Sequence, residues 1–211
     1  GGWGTYQYEL VNNTTSTTVQ PFGSNSLFTG LAAGNYTVSV QDIGGCLVST
    51  TVILVQPSLI SATLTATNTA LLCFGDANAS VTATNVTGGQ GVYQYILNTY
   101  NTSGTTIVSS SGGQTSPTFN GLGAGIYSIT ITDGWNCDFT SNTVIITQPT
   151  PVVASLNLTS SLTCLNNAVI TISASGGTAP YQYSSDGVTF SNNTTFNVGP
   201  GTYQYFVRDA N

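Results

Sequence analysis

Few residues in this 211-residue sequence could carry covalent, acid–base or metal chemistry. There are seven acidic side chains, one basic one, four cysteines and no histidine. The single cation is Arg208, and lysine is absent. That balance excludes nucleic-acid binding, which needs cations to displace phosphate counterions. A glycosidase needs two facing carboxylates, yet Glu9 is the sole glutamate and the aspartates recur at turn positions. A Ser, Thr or Cys nucleophile needs a base to activate it, and neither His nor Lys is present to serve. An enzyme is therefore not expected. Calcium takes six to eight oxygens, often from several carboxylates. Asp133 and Asp138 are close in sequence, and Asp76 could approach Asp209 of the next repeat, so these four are the weak calcium candidates. No DxDxDG-like run exists, and the simpler reading is that each aspartate caps its own turn. No cofactor is otherwise expected.

The elements that must position these groups come in near-copies, and that periodicity is the strongest signal in the chain. Tyr6-Gln7-Tyr8 returns as Tyr93-Gln94-Tyr95 and Tyr181-Gln182-Tyr183, each after a Gly pair: Gly1-Gly2, Gly88-Gly89 and Gly176-Gly177. Gly34-Asn35-Tyr36 matches Gly125-Ile126-Tyr127 and Gly201-Thr202-Tyr203, and each leads into an alternating run ending in Asp42, Asp133 or Asp209. Cys46 and Cys137 are 91 residues apart, as are Cys73 and Cys164. Gln56-Pro57 matches Gln148-Pro149. Residues 1–57 thus read as the C-terminal part of one repeat, 58–149 as a complete repeat, and 150–211 as the N-terminal part of a third, cut just where the next cysteine is due. The chain reads as an excised piece of something longer.

Hydrophobic residues make up 40 % of the sequence and charged ones only 4 %. The first figure is enough for buried sheet faces, so low charge does not here mean disorder. No apolar run is long enough to span a membrane. Alternation places strands in the complete repeat: A over Leu59–Thr67, B over Ala79–Val86, C over Gly91–Leu97, a weak strand over Thr105–Ser109, E over Thr118–Leu122, F over Gly125–Thr132 and G over Asn142–Thr147. Seven or so short strands in this length predict an all-β protein of tandem immunoglobulin-like sandwiches arranged head to tail. Tyr127 opens strand F after Gly-Ala-Gly, where that fold often has a tyrosine corner; the alternative is a plain core aromatic. Tyr93 and Tyr95 share one face of their strand, expected to be the core.

The order Cys73-Phe74-Gly75-Asp76, Gly88-Gly89, Tyr93-Gln94-Tyr95, Ala124-Gly125-Ile126-Tyr127, Asp133, Cys137 and Gln148-Pro149 resembles the SprB-type repeat of very large surface adhesins of Bacteroidetes, including those of gliding motility. The resemblance implies secretion by the type IX route and a place in an extracellular fibre at the bacterial cell surface. The third repeat departs from the pattern, because Cys164-Leu165-Asn166-Asn167 lacks the Gly-Asp pair. Asn167 stands there in place of Asp76.

Cys46, Cys73, Cys137 and Cys164 are disulfide candidates, as extracellular cysteines usually are. In an Ig-like sandwich Cys73 precedes strand B and Cys137 follows strand F, which puts them at opposite ends. A strand of eight residues spans about 26 Å, and a disulfide needs Cα atoms within about 7 Å. Pairing across a junction fits better: the A–B end of one repeat faces the F–G end of the next. Pairing within a repeat and free thiols both stay open.

Trp135 stands in the F–G turn, where it could pack on a neighbouring repeat, cover its own domain or bind a ligand. The stretch between strands C and E varies most among the repeats, and Tyr100 and Asn101 on it are ligand-loop candidates. The leading reading is a structural stalk segment of a surface adhesin, serving attachment and gliding. Its partners are neighbouring repeats, a homo-oligomeric fibre, or surface polysaccharide. The alternative is a carbohydrate-binding array recognising glycans through the variable loops.

Overall fold

The computed structural model describes residues 2–211, and among these there are strands but no helix. The chain divides into two compact units, Gly1–Ser58 and Leu59–Asn211.

The first unit is one antiparallel sheet of β1 (Tyr6–Asn12), β2 (Thr17–Gly23), β3 (Gly34–Asp42) and β4 (Leu47–Leu54), in the order β2-β1-β3-β4. Leu10 and Tyr36 are buried in it, whereas Val48 and Val52 on β4 stay 68 % and 42 % exposed. These four strands correspond by sequence to C, C′, F and G of the complete repeat. Strands A, B and E have no counterpart here, so β4 has no facing sheet within the unit.

The second unit opens with a complete sandwich. One sheet joins β5 (Ser61–Ala66), β6 (Ala79–Thr87) and β9 (Thr118–Leu122). The other joins β7 (Gln94–Tyr100), β8 (Ile107–Ser110), β10 (Gly125–Thr132), β11 (Asp138–Thr140) and β12 (Val144–Ile146). In strand letters the sheets are A-B-E and G-F-C-C′, an Ig-like arrangement. Period-two alternation explains the layering. Ala79, Val81 and Ala83 point inward from β6, and Tyr127, Ile129 and Ile131 point inward from β10. Leu64, Tyr95, Leu97, Phe119 and Ile146 fill the space between them.

Strands E and F begin and end where alternation predicts. Two others do not. Strand C starts at Gln94 rather than Gly91, because the segment after Gly88-Gly89 is held in a loop with positive φ at Gly88, Gly89 and Gly91. Strand G is split into β11 and β12. Between them Asn142 turns to the other sheet: its Oδ1 accepts from the Leu64 N–H at 2.8 Å, and its Nδ2 donates to the Leu64 carbonyl at 3.2 Å. A side-chain amide thus stands in for a strand residue and ties β5 to the G edge.

The last part of the unit repeats the plan more sparsely. β13 (Val153–Ser160), β14 (Ala168–Ser175) and β16 (Thr195–Val198) form the A-B-E sheet, and β15 (Gln182–Ser184) pairs with β17 (Phe206–Arg208). Ile172 and Tyr183 are buried, but every residue of β13 is exposed.

The tyrosine corner is present in all three copies. Tyr36 donates to Ala32 O at 2.9 Å, Tyr127 to Gly123 O at 3.1 Å and Tyr203 to Gly199 O at 3.2 Å. The two tyrosines of Tyr-Gln-Tyr divide their work. Tyr95 and Tyr183 enter the core, while Tyr93 and Tyr181 donate through their hydroxyls to the carbonyls of Gly88 and Gly176.

Candidate functional site

Function in a repeat chain resides in its loops and junctions, so the loop at the end of strand F is the place to begin. Asp42, Asp133 and Asp209 each use both carboxylate oxygens, and each oxygen serves a different loop. Oδ1 of Asp133 accepts from the N–H groups of Trp135 and Cys137, both at 2.9 Å, closing the F–G turn. Oδ2 accepts from the Gln90 N–H at 2.9 Å, which belongs to the B–C loop. In the first repeat Cys46 N–H donates to Asp42 Oδ1 and Trp3 N–H to Oδ2. In the third, Asn211 N–H donates to Asp209 Oδ1 and Thr178 N–H to Oδ2. The backbone returns the favour: Gly134 N–H donates to Gln90 O at 2.9 Å, and Ala210 N–H to Thr178 O at 2.9 Å.

This clamp explains the second glycine of the pair in the second and third repeats, which spacing alone did not interpret. Gly89 has φ +66°, and a Cβ there would stand 2.9 Å from both Asp133 Oδ2 and Ile60 Cγ1. At Gly177 the same atom would come within 2.5 Å of Asp209 Oδ2 and of Val152 Cγ2. A side chain cannot occupy the space into which the carboxylate reaches.

Charge follows geometry. The Cys137 N–H, then those of Gln90 and Trp135, hold the Asp133 carboxyl below the ordinary aspartate range against the opposing effect of burial. The N–H groups of Trp3, Cys46 and Gly44 do the same for Asp42. A carboxylate whose folded pKa is depressed contributes stability above its unfolded pKa, about 3.9. That stability is lost as pH falls through the folded value. Urea midpoints measured from pH 6 to pH 2 should therefore drop below about pH 4. Asp133→Asn should be less stable at pH 6 but fall less on acidification. Equal acid slopes for the two proteins would mean that Asp133 does not ionise differently on folding.

The other aspartates also have internal partners. Asp76 Oδ2 accepts from Cys73 N–H at 3.1 Å, and Asp138 Oδ1 from the Thr132 hydroxyl at 2.6 Å. Among the described residues no three His, Cys, Asp or Glu side chains gather to hold a metal ion. In the third repeat, where the Gly-Asp pair is missing, the Thr163 hydroxyl caps the corresponding turn by accepting from Leu165 and Asn166 N–H. Gln148 of the Gln-Pro linker accepts from Gly75 N–H at 2.8 Å, a link that spacing alone did not reveal.

All four cysteines are free. Cys73 sits in the A–B loop beside Leu71, whose N–H donates to Thr147 O after strand G. Cys137 sits at the other end of β10, where its carbonyl accepts from Asp133 N–H. The whole length of strand F separates the two thiols. Desolvation, then the charges of Asp133 and Asp138, push the Cys137 thiol up, opposite to what a nucleophile needs.

The loop candidates are bound into the fold. Asn101 Oδ1 accepts from Thr105 and Thr106 N–H, and the Tyr100 hydroxyl is 3.1 Å from that of Ser128. Trp135 remains 66 % exposed. At the other end of the sandwich, the F–G loop of the third repeat reaches the A–B loop of the second: Asn211 Nδ2 donates to Leu72 O at 2.8 Å.

Tandem Ig-like modules joined in this way define a class of repeat proteins, and comparison with known proteins narrows it. The SprB repeat family model matches residues 63–102 and 157–190, one stretch in the second repeat and one in the third. Each of these two stretches is thus similar to an SprB repeat. No curated protein matches it. Among solved structures it is similar to the three N-terminal domains of the highly immunogenic outer capsid protein of bacteriophage RB49, at 12 % identity, covering 85 % of this chain and 64 % of that one, with TM-score 0.43. It is also similar to murine CEACAM1b, at 14 % identity, covering 70 % of this chain and 86 % of that one, with TM-score 0.31. Extracellular domains 3–5 of Drosophila OTK match at 14 % identity, covering 98 % of this chain and 81 % of that one, with TM-score 0.31. No helix among the described residues is long and apolar enough to cross a membrane.

Proposed function

We propose that this chain is a stalk segment of a large bacterial surface adhesin, exported to the cell exterior and serving attachment and gliding. Its work is mechanical rather than catalytic. The observation that carries the reading is the contact of successive SprB repeats within Leu59–Asn211, where the Asn211 amide meets the Leu72 carbonyl. A junction that uses backbone groups and a two-residue Gln-Pro linker limits bending between modules. The Asp209 clamp supports this by fixing the F–G loop that meets the preceding repeat. Neighbouring repeats of the same chain are thus the main partners.

Small-angle scattering on a chain of four or more such repeats tests the reading. A rod profile whose length grows linearly with repeat number is expected, together with no retention on a polysaccharide array. A flexible-string profile would overturn the stalk. Glycan binding that disappears when residues 101–106 are trimmed would favour a carbohydrate-binding array instead. The Asn101 hydrogen bonds, which close that loop on itself, and the Tyr100–Ser128 contact, which ties β7 to β10, favour the stalk.

A further inference from the structure

We infer that the cysteine frame of these repeats is a covalent lock across junctions: the A–B loop thiol of one repeat pairs with the F–G loop thiol of the next. Three observations lead there. First, Cys73 and Cys137 lie at opposite ends of one sandwich, separated by the eight residues of β10, or about 26 Å at strand rise. A disulfide needs Cα atoms within about 7 Å, so pairing within the repeat is excluded by length. Second, the F–G loops share one register. Cys46 follows Asp42 by four residues, and Cys137 follows Asp133 by four. In that register Asn211 stands where Trp135 stands in the second repeat, two residues before the cysteine position. Third, the tip of that loop already touches the residue beside Cys73, because Asn211 Nδ2 donates to Leu72 O at 2.8 Å and to Thr178 Oγ1 at 2.9 Å. Two residues of chain reach no more than about 7 Å. The turn also curls back on itself, as Asp133 N–H donating to Cys137 O shows in the second repeat.

The same register sorts the four thiols by loop. Cys73 and Cys164 occupy A–B loops, and Cys46 and Cys137 occupy F–G loops. At the junction of the second and third repeats, only the A–B member lies within this sequence. The bond forms by ordinary exchange: the two thiols lose their protons, and their electrons reduce the S–S bond of a disulfide oxidant such as oxidised glutathione. The consequence belongs to the stalk proposed above, but the test reads thiols rather than extension or attachment, so the two stand or fall separately.

The experiment uses the whole chain lengthened after Asn211 by a glycine and a cysteine, which restores the Asp-x-x-x-Cys spacing from Asp209. The protein is incubated, dilute, with a glutathione redox buffer. The addition raises the titratable thiols from four to five, and formation of the lock should leave three. Peptide mapping should find Cys73 joined to the added cysteine. Cys164→Ser should leave that bond intact, and Cys73→Ser should abolish it while circular dichroism stays unchanged. Asn211→Cys in the original chain gives a second reading of the same approach, and it too should capture Cys73. A bond from the added cysteine to Cys164, or five thiols surviving in a folded protein, would overturn the inference.

Discussion

Ile129→Ala should remove about 3–4 kcal/mol from the stability of the complete repeat, the usual cost of cutting a fully buried isoleucine to alanine. Ile129 lies at the centre of β10 with no solvent exposure, between the two sheets, in the cluster that includes Leu64, Val81 and Ile146. Its neighbours belong to different strands, so the cavity cannot be closed by moving one of them. Calorimetry should show the transition of the Leu59–Asn211 unit lowered by roughly 6–16 °C. The Gly1–Ser58 unit has its own buried residues, Leu10 and Tyr36, so its transition should stay within about 1 °C, as expected for sites that share no partners. A single melting step that moves as a whole would refute the division into units that unfold separately.

Gly89→Ala is the second large effect, and it tests why the repeats carry two glycines before Tyr-Gln-Tyr. Two costs combine. The φ of +66° is unfavourable for any residue with a Cβ, at about 1–2 kcal/mol. The new methyl would also stand 2.9 Å from Asp133 Oδ2, pushing the carboxylate off the Gln90 N–H. Gly75→Ala separates these costs, because Gly75 has φ +85° but open space around its Cβ position. Gly112→Ala, with neither positive φ nor a close neighbour, should lie within about 0.5 kcal/mol of the parent. The expected order of urea midpoints is Gly112→Ala highest, Gly75→Ala next and Gly89→Ala lowest. Equal values for the Gly89 and Gly75 variants would show that the carboxylate moves aside without loss and that the clamp is not a constraint. Because the clamp joins the B–C loop to the F–G turn, Gly89→Ala should also loosen that end of the sandwich in hydrogen exchange at Gln90, Trp135 and Cys137.

How far the molecule was legible beforehand depends on how local each feature is. Strands E and F lie where alternation places them, since inward and outward side chains follow a period of two that needs no knowledge of partners. The tyrosine corner was legible as one of two alternatives for Tyr127, because its acceptor is only four residues away, at Gly123. Strand C begins late and strand G is broken because their courses answer to distant groups. The first yields to a loop tied to Asp133, and the second to a backbone 78 residues away at Leu64. For the aspartates, turn capping was the simpler expectation and describes Oδ1. What Oδ2 does was hidden, because Gln90 is 43 residues from Asp133 along the chain.

The amino-acid sequence alone determined that this is an all-β chain of recurring Ig-like modules, poor in charge and similar to SprB repeats. Those properties are written in spacing and composition, and each copy repeats the message. Only the tertiary structure decided why Gly89 and Gly177 must be glycine, which loops each aspartate joins, and that the tip of one module rests on the A–B loop of another. Those facts depend on residues that meet only after the sheets have stacked, when a carboxylate fills the one space left beside a glycine and two loops from separate modules reach the same few ångströms.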